Sequence, residues 1–83
     1  MKNIKLETIR ENLKGGKRYI LFKISIDTDF EYCIAVQDSE LSVCGIGNDI
    51  ANADEIYSLL SSAEVSSIHI NDVIRDMQNK IFI

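Results

Sequence analysis

Arg18-Tyr19-Ile20-Leu21-Phe22-Lys23-Ile24-Ser25-Ile26 decides the fold class, because read with period two it is a β-strand. Ile20, Phe22, Ile24 and Ile26 fall on one side of it. Phe30, Tyr32, Ile34 and Val36 repeat the alternation over residues 30–37. Between the two runs lies Asp27-Thr28-Asp29, which suits a three-residue hairpin loop. Pairing Ile26 with Phe30 then sets Ile24 against Tyr32, Phe22 against Ile34 and Ile20 against Val36. Every pair on that face is apolar, so this face is the expected core.

Working outward, residues 40–45 read as a third strand after a turn at Asp38-Ser39. A two-residue loop sets Val36 against Leu41 and Ile34 against Val43. Asp-Ser is not a favoured pair for so short a turn, which leaves room for a longer one. Residues 3–13 read two ways. As a helix they carry Leu6, Ile9 and Leu13 on one stripe, with Gly15 as a stop. As a strand, turning at Lys14-Gly15-Gly16, they set Leu6 against Ile24, Glu7 against Lys23 and Ile9 against Leu21. The strand satisfies more pairs at once.

The second half is helical. Asn52 with Glu55 three residues on is a cap-like pair, and Ile56, Leu59, Leu60 and Ala63 follow as a stripe. Ile70, Val73, Ile74 and Met77 fit the helical spacing over a second segment. A short extended link, residues 64–68, separates the two. The chain is therefore expected to be one α+β domain over residues 1–83. It is an antiparallel β-meander of three to four strands followed by two α-helices packed on one face.

Two C-terminal stretches carry a resemblance. Asn48-Asp49-Ile50 leads into the Ile56–Leu60 helix. Val65-Ser66-Ser67-Ile68-His69-Ile70-Asn71-Asp72-Val73-Ile74-Arg75-Asp76 follows. This resembles a family of short Gram-positive bacterial (clostridial-type) proteins of unknown function. The family pattern is Val-x-Pro-x-His-Leu, then Asp-Val, an acidic pair and an aromatic. Ser67, Arg75 and Met77 stand where the pattern has proline, the first acid and the aromatic. The resemblance implies a fold and no activity.

Composition narrows the function. With 83 residues, 46% of them hydrophobic, the chain is neither disordered nor multi-domain. No apolar run approaches the roughly 18 residues of a membrane span. The start, Met1-Lys2-Asn3-Ile4-Lys5, lacks the apolar stretch of a secretory signal, so a cytoplasmic location is expected. Residues 1–24 carry a charge of +5 and residues 25–83 carry −9. From Ser25 to Glu64 there are nine acids and no base. A net charge of −4 argues against direct nucleic-acid binding, which needs many phosphate contacts from Lys and Arg.

Catalytic and metal motifs are weak. His69 is a lone histidine, read as a cap or hinge rather than a ligand or base. Cys33 and Cys44 fall opposite each other in the register above, which invites a bond; without secretion, two reduced thiols fit better. There is no Cys-x-x-Cys. Asp27-Thr28-Asp29-Phe30-Glu31 opens like a calcium loop, but Tyr32 and Asp38 occupy the positions of the required Gly and Glu. Gly45-Ile46-Gly47-Asn48 reads as a strand-to-helix turn. No catalytic, cofactor-binding or metal residues are assigned, and no cofactor is expected.

What remains is a surface. The sheet face away from the helices is expected to carry Ile9, Tyr19, Leu21 and Ala35, with Cys33 and Cys44, and no second layer to cover them. Phe82 extends the candidate through the apolar end Ile81-Phe82-Ile83. The reading is a non-catalytic small acidic protein acting through protein–protein contact, a regulatory or adaptor module, with self-association as one form. The alternative is a phage or mobile-element inhibitor (anti-CRISPR-like) of a nucleic-acid-handling enzyme.

Overall fold

The computed structural model describes residues 3–81, with side chains described through Met77. The order is β1 (Ile4–Lys14), β2 (Lys17–Ile26), β3 (Asp29–Gln37), β4 (Leu41–Gly45), α1 (Ile50–Ser62) and α2 (Ile70–Ile81). The strands form one antiparallel sheet in the order β1-β2-β3-β4, and both helices follow it. This is the α+β meander with two helices that the periodicities require. Its smallest dimension is 18 Å, the thickness of one sheet under one helical layer.

The β1–β2 hairpin turns on Gly15 and Gly16, at φ 61° and 76°. Two successive left-handed residues make a turn whose twist matches the flanking strands, and glycine adopts them without strain. Leu6 pairs with Ile24 and Glu7 with Lys23, as expected for the strand reading. A bulge between Thr8 and Arg10 leaves Ile9 as the extra residue, so Arg10 and not Ile9 stands opposite Leu21. The bulge turns Arg10 onto the helix side. There its guanidinium donates to Asp54 at 2.6 Å and to Ser58 at 3.2 Å, and it stacks on Tyr57 at 4.8 Å.

The β2–β3 register corrects the expected core face. The loop is Asp27-Thr28, with Ile26 opposite Asp29. Asp27 takes φ 55°, a conformation that aspartate tolerates better than most residues. With one loop residue fewer, β2 shifts by one against β3. Tyr19 now pairs with Val36, Leu21 with Ile34 and Lys23 with Tyr32. Tyr19, Leu21, Ile34 and Val36 are all at 0% exposure, while Ile20, Phe22 and Ile24 lie on the opposite face. A one-residue slip exchanges the two faces of a strand.

The β3–β4 loop is the longer one, Asp38 to Glu40, which sets Gln37 against Leu41 and Ala35 against Val43. The expected pairs Val36–Leu41 and Ile34–Val43 are therefore replaced. Asp38 shapes the loop by accepting the Glu40 N–H at 3.0 Å. The first helix starts earlier than expected. Asp49, not Asn52, is its cap, accepting from the N–H groups of Ala51 and Asn52.

Both helices pack on the Tyr19–Leu21 side. Ala53, Ile56, Tyr57 and Leu60 of α1 and Ile70 and Ile74 of α2 close one core with Ile46. Its polar atoms are satisfied: the Tyr19 hydroxyl donates to the Val65 carbonyl at 2.9 Å, and the Tyr57 hydroxyl to the Tyr19 carbonyl at 3.2 Å. Burial pushes both phenols above their ordinary pKa.

A second tie joins sheet to helices. The Asp38 carboxylate accepts the Ser67 N–H at 3.0 Å and the Ser67 hydroxyl at 2.7 Å. A proline at this position would lack that N–H. The Ser67 N–H, then the Glu40 N–H and the Ser67 hydroxyl, hold the Asp38 pKa down to about 2 against desolvation. A folded pKa below the unfolded one of roughly 4 means the contribution is present above that pH and lost as pH falls toward 2. Asp38→Asn should therefore be less stable than the parent at neutral pH, with the gap closing by about pH 2. Denaturant melts across that range check this. An Asp38 carboxyl that titrates at its ordinary value would contradict it.

Candidate interaction surface

The paired strands define the face that no helix covers. From β2 it takes Ile20, Phe22, Ile24 and Ile26. From β1 it takes Ile4, Leu6, Thr8 and Leu13, paired to Ile26, Ile24, Phe22 and Arg18. From β3 it takes Cys33 and Ala35, and from β4 Leu41 and Val43. Leu6 is 68% exposed and Val43 52%. Ile20, Phe22 and Ile24 along the centre are only half-buried, and among the described residues neither helix lies on their side of the sheet. Such a run of branched and aromatic side chains on a sheet face open to water is the feature of this molecule that packing within the chain does not account for.

Charge sits at both ends of the face and reaches into it, the Glu31 carboxylate lying against Gly45 beside Cys33. At one end Arg18 donates to Glu11 through Nε and Nη2, at 3.0 and 2.6 Å. At the other, Asp29 and Glu31 border a shallow depression lined by Ile24, Ile26 and Phe30. Phe30 itself points to the helix side, where it meets Tyr32 edge-on and lies under the Lys23 ammonium at 4.5 Å.

Of the expected surface residues, Ala35 lies on this face beside Val43 but is itself buried, at 5% exposure. Ile9 stands at the bulge, 39% exposed. Tyr19 and Leu21 do not belong to the surface: they are wholly buried under the helices. The cause is the shorter Asp27-Thr28 loop. Phe82 lies outside the described residues. The residues missed are Ile20, Phe22 and Ile24 of β2, with Leu6 of β1 and Val43 of β4, which the alternation assigns to the core face.

The cysteines are free. Cys33 pairs with Gly45 and Cys44 with Ile34, so the two do not stand opposite each other and lie on different faces. Burial pushes both thiols above the ordinary value, with the Glu31 charge adding to it. That keeps them protonated and poorly nucleophilic at neutral pH. Replacing both with alanine should shift the denaturant midpoint equally with and without reductant. A parent that loses stability on reduction would contradict this.

The other candidates sit as follows. His69 is exposed at the start of α2, where its carbonyl accepts the Val73 N–H. Asp27–Glu31 is an exposed hairpin tip. Gly45-Ile46-Gly47-Asn48 connects β4 to α1 and prolongs the ladder through Tyr32 to Gly47 and Ile46 to Tyr32 bonds. Among the described residues, no group of three His, Cys, Asp or Glu could hold a metal ion. The acids of residues 25–64 are divided between the hairpin tip, the β3–β4 loop, the start and body of α1, where Asp54 is paired to Arg10, and Glu64 just beyond its end. No helix of the described residues is long and apolar enough to cross a membrane. Comparison with family profiles, curated proteins and solved structures finds no match to this chain.

Proposed function

We propose that this chain is a small, non-catalytic, cytoplasmic acidic protein that acts by protein–protein contact, as a regulatory or adaptor module. The open sheet face is its contact surface. One observation carries the reading: Ile20, Phe22, Ile24, Leu6 and Val43 form a continuous apolar strip that no layer of the described residues covers. Leaving such area in water forgoes about 25 cal/mol per Å² that a partner would recover. The strip lacks the unpaired Lys and Arg that phosphate recognition needs, since its one base, Arg18, is held by Glu11. Kinship with the short Gram-positive proteins is part of the same proposal and rests on residues 65–76.

The test uses the tagged parent and Ile24→Lys as baits in lysate of the native host. Proteins held by the parent and released by the folded variant are the expected result. An identical set on both baits would overturn the reading.

A further inference from the structure

We propose that the open face receives a basic amphipathic α-helix of a partner protein, its apolar stripe on Phe22 and Ile24 and a lysine or arginine over Asp29 and Glu31. The inference rests on the reading of that face as a contact surface, and goes further by naming the chemistry of what covers it.

The backbone sets the shape of the occupant. In a sheet the N–H and C=O groups lie along the ladder, and those of β2 and β3 are spent on the strands beside them. A segment lying flat on the face gains no backbone bond from it and must satisfy its own groups. A helix or another sheet does so, and size separates the two. Four strands about 4.8 Å apart and about ten residues long present roughly 600 Å² at most. Stable stacking of a second domain buries about 800 Å² on each side. A helix of three turns, roughly 16 Å long and 10–12 Å wide, fits inside the outline. Helices of similar length already cover the other face, α1 with 13 residues and α2 with 12. One more across Ile20, Phe22 and Ile24 repeats that packing and gives the sheet a layer on each side.

Charge sets the sign. On the open face Asp29 stands beside Ile26 and Glu31 beside Ile24, at the rim of the depression that Phe30 completes. Among the described residues neither carboxylate has a cation at ion-pair distance. At the opposite end Glu11 and Arg18 neutralise each other. The face is thus apolar along its centre and negative toward the hairpin tip. A lysine or arginine matches both features, laying its aliphatic stem on Ile24 and Ile26 and its charged head between the carboxylates. Opposite charge at that place speeds encounter and fixes orientation, whereas an acidic helix meets repulsion there.

Fluorescence anisotropy on the full chain tests this with two labelled peptides of about four helical turns. They share a leucine stripe at i, i+3, i+4 and i+7, and carry lysine or glutamate elsewhere. The lysine peptide should bind about tenfold more tightly than the glutamate peptide, and gain helicity as it binds. Asp29→Asn with Glu31→Gln should bring the two to within about twofold. Glu55→Gln with Asp76→Asn removes the same charge from exposed helical positions and should leave the preference in place. Ile24→Gln takes away apolar area without adding charge and should weaken both peptides severalfold. Circular dichroism checks that each variant is folded. Equal affinity for the two peptides would overturn the proposal. So would a preference that survives the Asp29 and Glu31 changes, or a lysine peptide that binds Ile24→Gln as tightly as the parent.

A lysine peptide that does not bind at millimolar concentration would also overturn it, and Nile red then separates the two levels. Dye binding that Ile24→Gln abolishes would leave the contact surface standing for an occupant of another shape. No dye binding would remove the surface as well.

Discussion

Leu21→Glu should unfold the chain. Leu21 is at 0% exposure, paired to Ile34 on one side and Arg10 on the other, beneath the helices. Truncating a buried leucine to alanine already costs about 2–5 kcal/mol. A carboxylate there is taken out of water beside one cation, Arg10, whose guanidinium is already engaged by Asp54 and Ser58, so it must protonate, break that pair or pull water into the core. A domain of this size holds about 4–12 kcal/mol in total. The variant should show no cooperative thermal transition by circular dichroism. Ile34→Ala, one pairing away, gives the graded version, a loss of about 2–5 kcal/mol read from the denaturant midpoint. A folded Leu21→Glu with the parent's melting temperature would mean that the helices cover the other face.

Ile24→Lys, three residues further along the same strand, should do the reverse: keep the fold and lose the apolar contact surface. Ile24 lies on the open face opposite Glu31, so a lysine there gains a cross-strand partner. It touches none of the core formed by Tyr19, Leu21, Ile34 and Val36. Its melting temperature should stay within a few degrees of the parent's, while binding of Nile red, an apolar dye, falls at least severalfold. Equal dye binding by the parent and the folded variant would contradict the reading of this face.

The contrast between these two substitutions marks where the sequence could be read and where it could not. The strands and both helical stripes were legible because residues 18–37 keep a strict period of two and Ile70, Val73, Ile74 and Met77 a helical one. β1 was legible through its partners, Leu6 with Ile24 and Glu7 with Lys23. The inward face of β2 was not. Tyr19-Ile20-Leu21-Phe22 is apolar on both parities, so alternation cannot say which half faces the helices.

Loop length decides that question, and loop length turned on Asp27 accepting a left-handed conformation. The existence of an uncovered apolar face was therefore legible, from one helical layer and two apolar sides. Its membership was inverted on β2, on β1 at Leu6, and on β4, where Val43 and Cys44 exchange sides; it was kept on β3, where Ala35 and Cys33 stayed on the expected side. The early start of α1 was hidden for a smaller reason. Asp49 and Asn52 are both good caps, and only the backbone decides which has its side chain free to accept.

The most direct measurement of the central claim is the broadening of methyl NMR signals by a soluble paramagnetic probe. An uncovered sheet face predicts strong broadening at Leu6 and Val43, and none at Leu21, Ile34 or Leu60. Broadening at Leu21 with Leu6 and Val43 protected would contradict it.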